Sequence, residues 1–280
     1  MAVQAASARE CQKMSEPLLR VDKIEVVYKR VITAVQGVTL SVANRHIVAL
    51  LGTNGAGKTT TLRAISGFLG IDDARVTEGA ISFEGARLEN LPPYDITGRG
   101  ISLVPEREKV FPNLTVAENL SVSVARAATV AERRHDEDRI YHFFPRLAQL
   151  RQRVGGLLSG GERQMMAIAG ALMCRPKLLL VDELSLGLAP VVVEDLTRRL
   201  MAVRDEMGIA ILLVEQSAAV ALEIADYAYV MENGRIVLDG DRERLKSHQD
   251  VQEFYLGQTG GERRSYRDVK QYRRSRRWYG

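Results

Sequence analysis

Gly52-Thr53-Asn54-Gly55-Ala56-Gly57-Lys58-Thr59 follows directly on the apolar run His46-Ile47-Val48-Ala49-Leu50-Leu51 and leads into Thr60-Thr61-Leu62-Arg63-Ala64-Ile65. The spacing is G-x-x-x-x-G-K-[ST], in which glycines at fixed places let backbone N–H groups curl around a phosphate chain. Lys58 is placed to reach the outer phosphates, and the Thr59 hydroxyl to ligate Mg²⁺. The helix that starts here turns its positive end toward the same anion. Residues 52–60 therefore read as contacts to a nucleoside triphosphate. The plainer alternative, a glycine-rich turn with a chance lysine, explains neither the strand before nor the helix after.

Leu178-Leu179-Leu180-Val181-Asp182-Glu183 closes a buried-strand pattern on two adjacent acids. Beside a P-loop, Asp182 can hold Mg²⁺ through water and Glu183 can polarise an attacking water as general base. The plainer alternative is an acidic strand end in a turn, which the P-loop beside it disfavours. Leu158-Ser159-Gly160-Gly161-Glu162 carries a capping box, Ser159 with Glu162, that starts the next helix. It also leaves free N–H groups, two glycines and a hydroxyl at a helix N-terminus, which is an anion site in its own right. One nucleotide on one chain does not need two phosphate sites. Two chains arranged head to tail do.

The elements that must position these residues read as an α/β chain. Leu18–Tyr28 and Val38–Val42 alternate apolar and polar residues, the pattern of antiparallel strands. Ile81–Gly85 is a short strand ending in a turn, and Ile101–Val104 another, halted by Pro105. Thr115 to about Leu150 reads as helical, as do Gly160–Cys174 and Val191–Met207. Lys177–Val181 and Ile209–Val214 are continuous apolar runs, expected as parallel strands covered by helices on both faces. Asn233-Gly234, flanked by strand residues, predicts a hairpin over Tyr227–Leu238. There is no internal repeat and no second P-loop, so each chain carries one nucleotide module.

The 280 residues suit one large domain with a subdomain. Cys11 and Cys174 lack metal-ligand spacing, and Cys174 lies on an apolar helical stretch that suits a buried thiol. Such sparing use fits a reducing compartment. The first residues hold no apolar core of signal-peptide length, and no apolar run reaches the ~18–20 residues that span a bilayer. The expectation is a soluble, cytoplasmic chain that serves a membrane only through a partner. The net charge of +4 is uneven: Glu262–Gly280 holds eight basic residues against Glu262 and Asp268, which leaves the remainder at −2. That Arg-rich end, with its Tyr and Trp, reads as a solvated arm, a lipid-surface contact or a nucleic-acid contact.

The P-loop, LSGGE and LLLVDE, in this order and spacing, resemble the ATP-binding cassette (ABC) ATPases over residues 18–256. Residues 1–17 are then a flexible N-terminus and 257–280 a basic tail. The resemblance implies a P-loop NTPase fold with a mixed sheet core, an antiparallel β flank and a helical subdomain at about 90–160. It implies ATP hydrolysis, with ATP and Mg²⁺ sandwiched between two cassettes. Ser159, Gly160, Gly161 and Glu162 would act on the partner's ATP, and Ser185-Leu186-Gly187-Leu188 would contact the partner cassette. Tyr28 resembles the aromatic that stacks on adenine, although the residue alone suits an ordinary strand tyrosine.

Three positions depart from the common cassette pattern. Glu106 stands where most cassettes have Gln, Gln216 where they have a switch His, and Ala189 where they have Asp. Together VPE…VFPNLTVAENL, LSLGLAP and LLVEQ resemble the ATP-binding subunits of branched-chain amino-acid-type ABC importers. That resemblance implies a homo- or heterodimeric cassette pair, two membrane permeases, a solute-binding protein, and a peripheral place on the cytoplasmic face of the inner membrane. The permease contact falls near residues 85–125. Catalysis is assigned to Glu183 and Gln216, and Mg²⁺ to Thr59, Glu106 and Asp182. Gln216 can hydrogen-bond the γ-phosphate but, unlike His, cannot carry a proton near neutral pH. Nucleic acid is not expected as a partner. The alternative is a soluble non-transport ABC ATPase acting on nucleic acid or ribosomes. Such proteins usually hold two cassettes or long coiled-coil insertions, and this sequence has neither. A P-loop kinase would have no use for LSGGE.

Overall fold

The computed structural model describes residues 16–107, 110–124, 129–248 and 251. Expectations for the first fifteen residues and for the basic tail lie outside the described residues. The chain begins with β1 (Leu19–Tyr28) and β2 (Ile32–Val42), and β3 (Ile47–Leu51) then delivers the P-loop to α1 (Lys58–Ser66). A 3-10 turn at Phe68–Asp72 leads to β4 (Ala74–Phe83) and β5 (Ala86–Arg87). Then come α2 (Pro93–Gly98), β6 (Ile101–Val104), α3 (Val116–Val122), α4 (Val130–Phe143), α5 (Pro145–Gln149) and α6 (Gly160–Met173). The remaining elements are β7 (Leu178–Asp182), α7 (Pro190–Met207), β8 (Ala210–Glu215), α8 (Ala218–Ile224), β9 (Tyr227–Glu232), β10 (Arg235–Asp241) and α9 (Arg242–Ser247).

Two sheets result. One is antiparallel in the order β2-β1-β4-β5, and the other runs β10-β9-β3-β8-β7-β6. Within the second, β9, β3, β8, β7 and β6 pair in parallel and only the β9–β10 hairpin is antiparallel. Side-chain alternation divides its two faces. Ile47, Ala49, Leu51, Leu179, Val181, Ile211 and Leu213 point into a core shared with α6, α7 and α8. Val48, Leu50, Leu178, Leu180, Leu212 and Val214 point into a second core shared with α1 and the antiparallel sheet. Every residue of β3, β7 and β8 is buried, which is why these strands read as unbroken apolar runs. The expected covering of both faces by helices is met on one face. On the other, α1 shares the task with the antiparallel sheet.

Strand and helix limits also differ from the sequence reading. β4 starts at Ala74 rather than Ile81, because a register shift against β1 interrupts the alternation, with Gly79 at φ +83°. A bulge of this kind hides a strand from a strict period-2 pattern. The helical stretch expected over 115–150 consists of three helices, α3, α4 and α5. Thr115 and Thr129 each start a fresh helix with a capping box, through Glu118 and Glu132, and Pro145 begins the third. α3, α4 and α5 all pack on α6.

The hairpin tip ties the two sheets together. Asn233 and Gly234 take φ +48° and +78°, the left-handed pair of a two-residue turn. Gly234 N–H donates to the Ala56 carbonyl at 2.8 Å, and its carbonyl accepts from Gln36 N–H at 2.7 Å. A Cβ on Gly234 would lie 2.6 Å from the Ala34 carbonyl oxygen. Gly234→Ala is expected to destabilise the fold by roughly 1–3 kcal/mol, read as a lowered denaturant midpoint with an unchanged slope.

Candidate functional site

The phosphate loop is built by glycine conformations that other residues reach only under strain. Gly55 and Gly57 take φ +80° and +105°, and Gly57 is the N-cap of α1. Gly52 and Gly57 also allow close approach: a Cβ would meet the Met231 carbonyl at 2.5 Å in the first case and Met231 Cε at 2.7 Å in the second. The loop N–H groups and the first turn of α1 thus open toward one cavity of about 800 Å³. Its walls include Asn54 to Thr60, Glu106, Arg107, Glu183 and Leu186, with Ile32, Thr33, Ala34, Gln36, Asn233 and Gly234 at its other side.

Lys58 is 4% exposed, and its ammonium donates to the carbonyls of Gly52 at 2.8 Å and Thr53 at 3.2 Å. It also lies 3.5 Å from Glu183 Oε1. The Thr59 hydroxyl donates to Asp182 Oδ1 at 3.2 Å, so the P-loop threonine and the first acid of the strand end meet. Burial, reinforced by the negative charges of Glu183 and Glu106, pushes the Asp182 carboxyl up to about 6, although the Thr59 bond and Lys58 pull the other way. Glu183 adopts φ +53°, with its N–H bonded to the Val214 carbonyl at 3.0 Å. Glu106 reaches the same cavity from the segment after β6 and pairs with Arg107 at 3.2 Å. Thr59, Asp182 and Glu106 offer hydroxyl and carboxylate oxygens, the donors a hard cation such as Mg²⁺ takes.

Other expected residues lie outside this cavity. Ser159, Gly160, Gly161 and Glu162 form the first turn of α6, and the capping box is present in both directions. Arg146 on α5 donates to Glu162 Oε1 at 2.9 Å. Burial of Glu162 is outweighed by the Ser159 N–H and Arg146, which together hold its carboxyl below the usual carboxylate range. Ser159 and Gly160 are exposed. Gly161 is held close to Val192 on α7, whose Cγ1 lies 2.6 Å from where a Cβ would stand. Tyr28, at the end of β1, is half-buried with its hydroxyl 3.2 Å from Thr60 Oγ1, and pairs across the strands with the cavity residue Ile32. Gln216 is exposed just beyond β8 and does not line the cavity.

Two buried residues that hold segments of the site in place were not singled out from the sequence. Buried Asn119 accepts from Phe111 N–H and donates to the carbonyls of Phe111, Leu114 and Thr115, which fastens the segment after Glu106 onto α3. Glu215, 1% exposed, accepts from both the N–H and the hydroxyl of Ser185. Both sit in runs whose local pattern is fully explained by a helix or a strand, so only their distant partners reveal them.

Comparisons with known proteins bear on the family and the fold. A family model described as ABC transporter matches residues 35–185. The high-affinity branched-chain amino acid transport ATP-binding protein BraG of Pseudomonas aeruginosa is 40% identical over 86% of this chain and all of its own length. The probable branched-chain amino acid transport ATP-binding protein LivF of Archaeoglobus fulgidus is 36% identical over 86% of this chain and 99% of its own. The solved ADP conformation of an ATP-binding cassette of an ABC transporter superposes with a TM-score of 0.73 at 28% identity, covering 87% of this chain and all of that one.

The raised Asp182 carboxyl has a thermodynamic consequence. Its folded-state value of about 6 lies above the ordinary 3.8, so the folded chain binds the proton more tightly than the unfolded one. Its contribution therefore turns unfavourable as pH rises from about 4 to about 6, by roughly 3 kcal/mol in full. Asp182→Asn without nucleotide or Mg²⁺ is expected to melt higher than the parent at pH 7.5, with the difference closing near pH 4. A difference that is flat across that window would contradict the assignment.

Proposed function

The chain belongs to the ABC transporter family, and on that premise we propose that it is the ATP-binding and ATP-hydrolysing subunit of an ABC importer. It powers uptake of branched-chain amino acids or a related small polar solute through partner permeases. One observation carries the reading: the P-loop and Glu183 line a single cavity, with Asp182 hydrogen-bonded to the P-loop Thr59, while Ser159 and Gly160 stand exposed outside it. Half of an ATP site is thus offered at each of two places, which suits two cassettes facing head to tail. The solute class rests on the two branched-chain amino-acid transport relatives, whose whole length this chain spans or nearly spans.

In this reading the loop N–H groups of Gly52 to Thr60 hold the phosphates of ATP and Lys58 meets the outer ones. Thr59, Asp182 and Glu106 would hold Mg²⁺, which when bound neutralises charge on the β- and γ-phosphate oxygens. Glu183 takes the proton of the attacking water, and Gln216 positions a phosphate oxygen without relaying protons. Tyr28 stacks on adenine beyond Ile32, its hydroxyl tethered to Thr60. Ser159 and the N–H groups of Gly160 and Gly161 reach the γ-phosphate of ATP held by the opposite cassette, and Glu162 keeps that turn formed.

No helix among the described residues is long and apolar enough to cross a membrane. Attachment therefore falls to the permeases, on the cytoplasmic face of the inner membrane. Exposed Tyr94, Phe111 and Val122 supply an apolar contact surface there. The domain division follows: a cassette over 18–256 with a helical part at about 90–160, and a basic tail at 257–280. A solute-binding protein completes the assembly.

Two measurements test this. Glu183→Gln is expected to lower ATP turnover by about 100-fold or more, and Gln216→Ala by far less. A Glu183→Gln variant that still turns over beside a dead Gln216→Ala variant would invert the roles. Co-purification from native membranes should recover permeases, and leucine-loaded binding protein should stimulate turnover in proteoliposomes. Recovery of ribosomes or DNA in their place would support the non-transport ATPase.

A further inference from the structure

Glu215 ends β8 as a buried carboxylate, and none of the ion pairs among the described residues includes it. A buried anion without a cation is costly unless hydrogen bonds compensate it. Beside a backbone bond from its neighbour Gln216, the compensation comes from one residue thirty positions earlier. Ser185 N–H donates to Oε1 at 2.9 Å and Ser185 Oγ donates to Oε2 at 2.8 Å. Ser185 closes the turn that begins at Glu183, whose φ of +53° is a conformation side-chain-bearing residues rarely adopt. The start of that turn is fixed by the Glu183 N–H on the Val214 carbonyl at 3.0 Å. Its far side continues through the Leu188 N–H, which returns to the Ser185 carbonyl at 3.2 Å, and carries Leu186 into the cavity wall. Two consecutive residues of β8, Val214 and Glu215, therefore hold both ends of a strained three-residue turn.

We propose that Glu215 is a positioning residue for hydrolysis: its two-point clamp on Ser185 keeps the Glu183 turn in the conformation that aims the Glu183 carboxyl into the phosphate cavity. The inference rests on the reading of Glu183 as the base that polarises water. Neither Glu215 nor Ser185 lines the cavity, so neither is expected to contribute to nucleotide affinity. A neutral or apolar residue would fill the end of β8 as well. The carboxylate is distinguished by accepting two bonds from one partner in a fixed geometry.

The test compares Ser185→Ala, Ser185→Thr, Glu215→Gln, the Ser185→Ala/Glu215→Gln double variant and Glu183→Gln in the full chain, at protein concentrations high enough for cassettes to pair. Turnover, KM and the affinity for a fluorescent ATP analogue are measured beside the melting temperature. Ser185→Ala and Glu215→Gln should lower kcat on the order of 10- to 100-fold, the size of a misplaced catalytic group, with analogue affinity within about twofold of the parent. Ser185→Thr, which keeps both donors, should restore most of the loss. The double variant should be no worse than the worse single one. Parent-like kcat in both single variants beside a dead Glu183→Gln would overturn the clamp while sparing the base. Loss of analogue affinity in step with kcat would also overturn it, as the mark of a merely structural contact. A Glu183→Gln variant that turns over normally would instead sink the assignment of the base. If Glu215→Gln does not fold, the Ser185→Ala and Ser185→Thr pair decides.

Discussion

β3, β7 and β8 run parallel and in register, with Leu51 opposite Glu215 and Asp182 opposite Val214, so their carboxyl ends reach one edge of the sheet together. β3 is apolar throughout and β7 and β8 are apolar until a final acid, and the chemistry begins where the apolar run stops. This alignment places Lys58, Asp182, Glu183 and Glu215 in one partly dry region, where all four are less than a tenth exposed. One ammonium is then set among three carboxylates. Burial raises the Asp182 and Glu215 carboxyls, and the negative charge of Glu183 adds to both. A site of this kind would be stabilised by an added cation, which fits the Mg²⁺ proposed to bind here.

The rest of the fold serves that edge. The β9–β10 hairpin supports the P-loop from below through Gly234 and Met231, so the loop glycines face backbone on one side and the cavity on the other. The antiparallel sheet closes the second core and brings Ile32 to Ala34 to the cavity wall. On the opposite face α6 is packed by α3, α4 and α5, so its capped N-terminus projects without lining the chain's own cavity. Arg146 and the Ser159 N–H share the Glu162 carboxylate, which leaves the Ser159 and Gly160 end of the helix open to solvent.

Much of this was legible from the sequence because it is local. The P-loop, the acids after Leu178–Val181, the Ser159 cap and the Asn233-Gly234 turn each depend on neighbours within a few residues. Tertiary pairing was harder to read. The first half of β4 was hidden by its bulge against β1, and the helical stretch after Thr115 was divided by caps that a purely apolar pattern passes over. Glu215 and Gln216 are the sharpest contrast. Position in the family pattern drew notice to Gln216, which is exposed, while its buried neighbour Glu215 makes the contacts. Nothing within several residues of Glu215 signals that its partner is Ser185.

The loop from Glu183 to Leu188 joins these two halves of the molecule. At one end it carries a carboxylate 3.5 Å from the P-loop lysine, and at the other Leu188 lies against Gly160 of the helix cap. Gly187, at φ +71°, turns the chain between them, and Leu186 stays over half exposed while forming part of the cavity wall. An exposed apolar side chain at the rim of a polar cavity gains free energy when a partner surface covers it. A second cassette bringing its own Ser159 turn to this rim would cover Leu186 and complete the phosphate site in the same step. On the proposed pairing, closure and catalytic competence would be one event, because the segment that would meet the partner also holds Glu183.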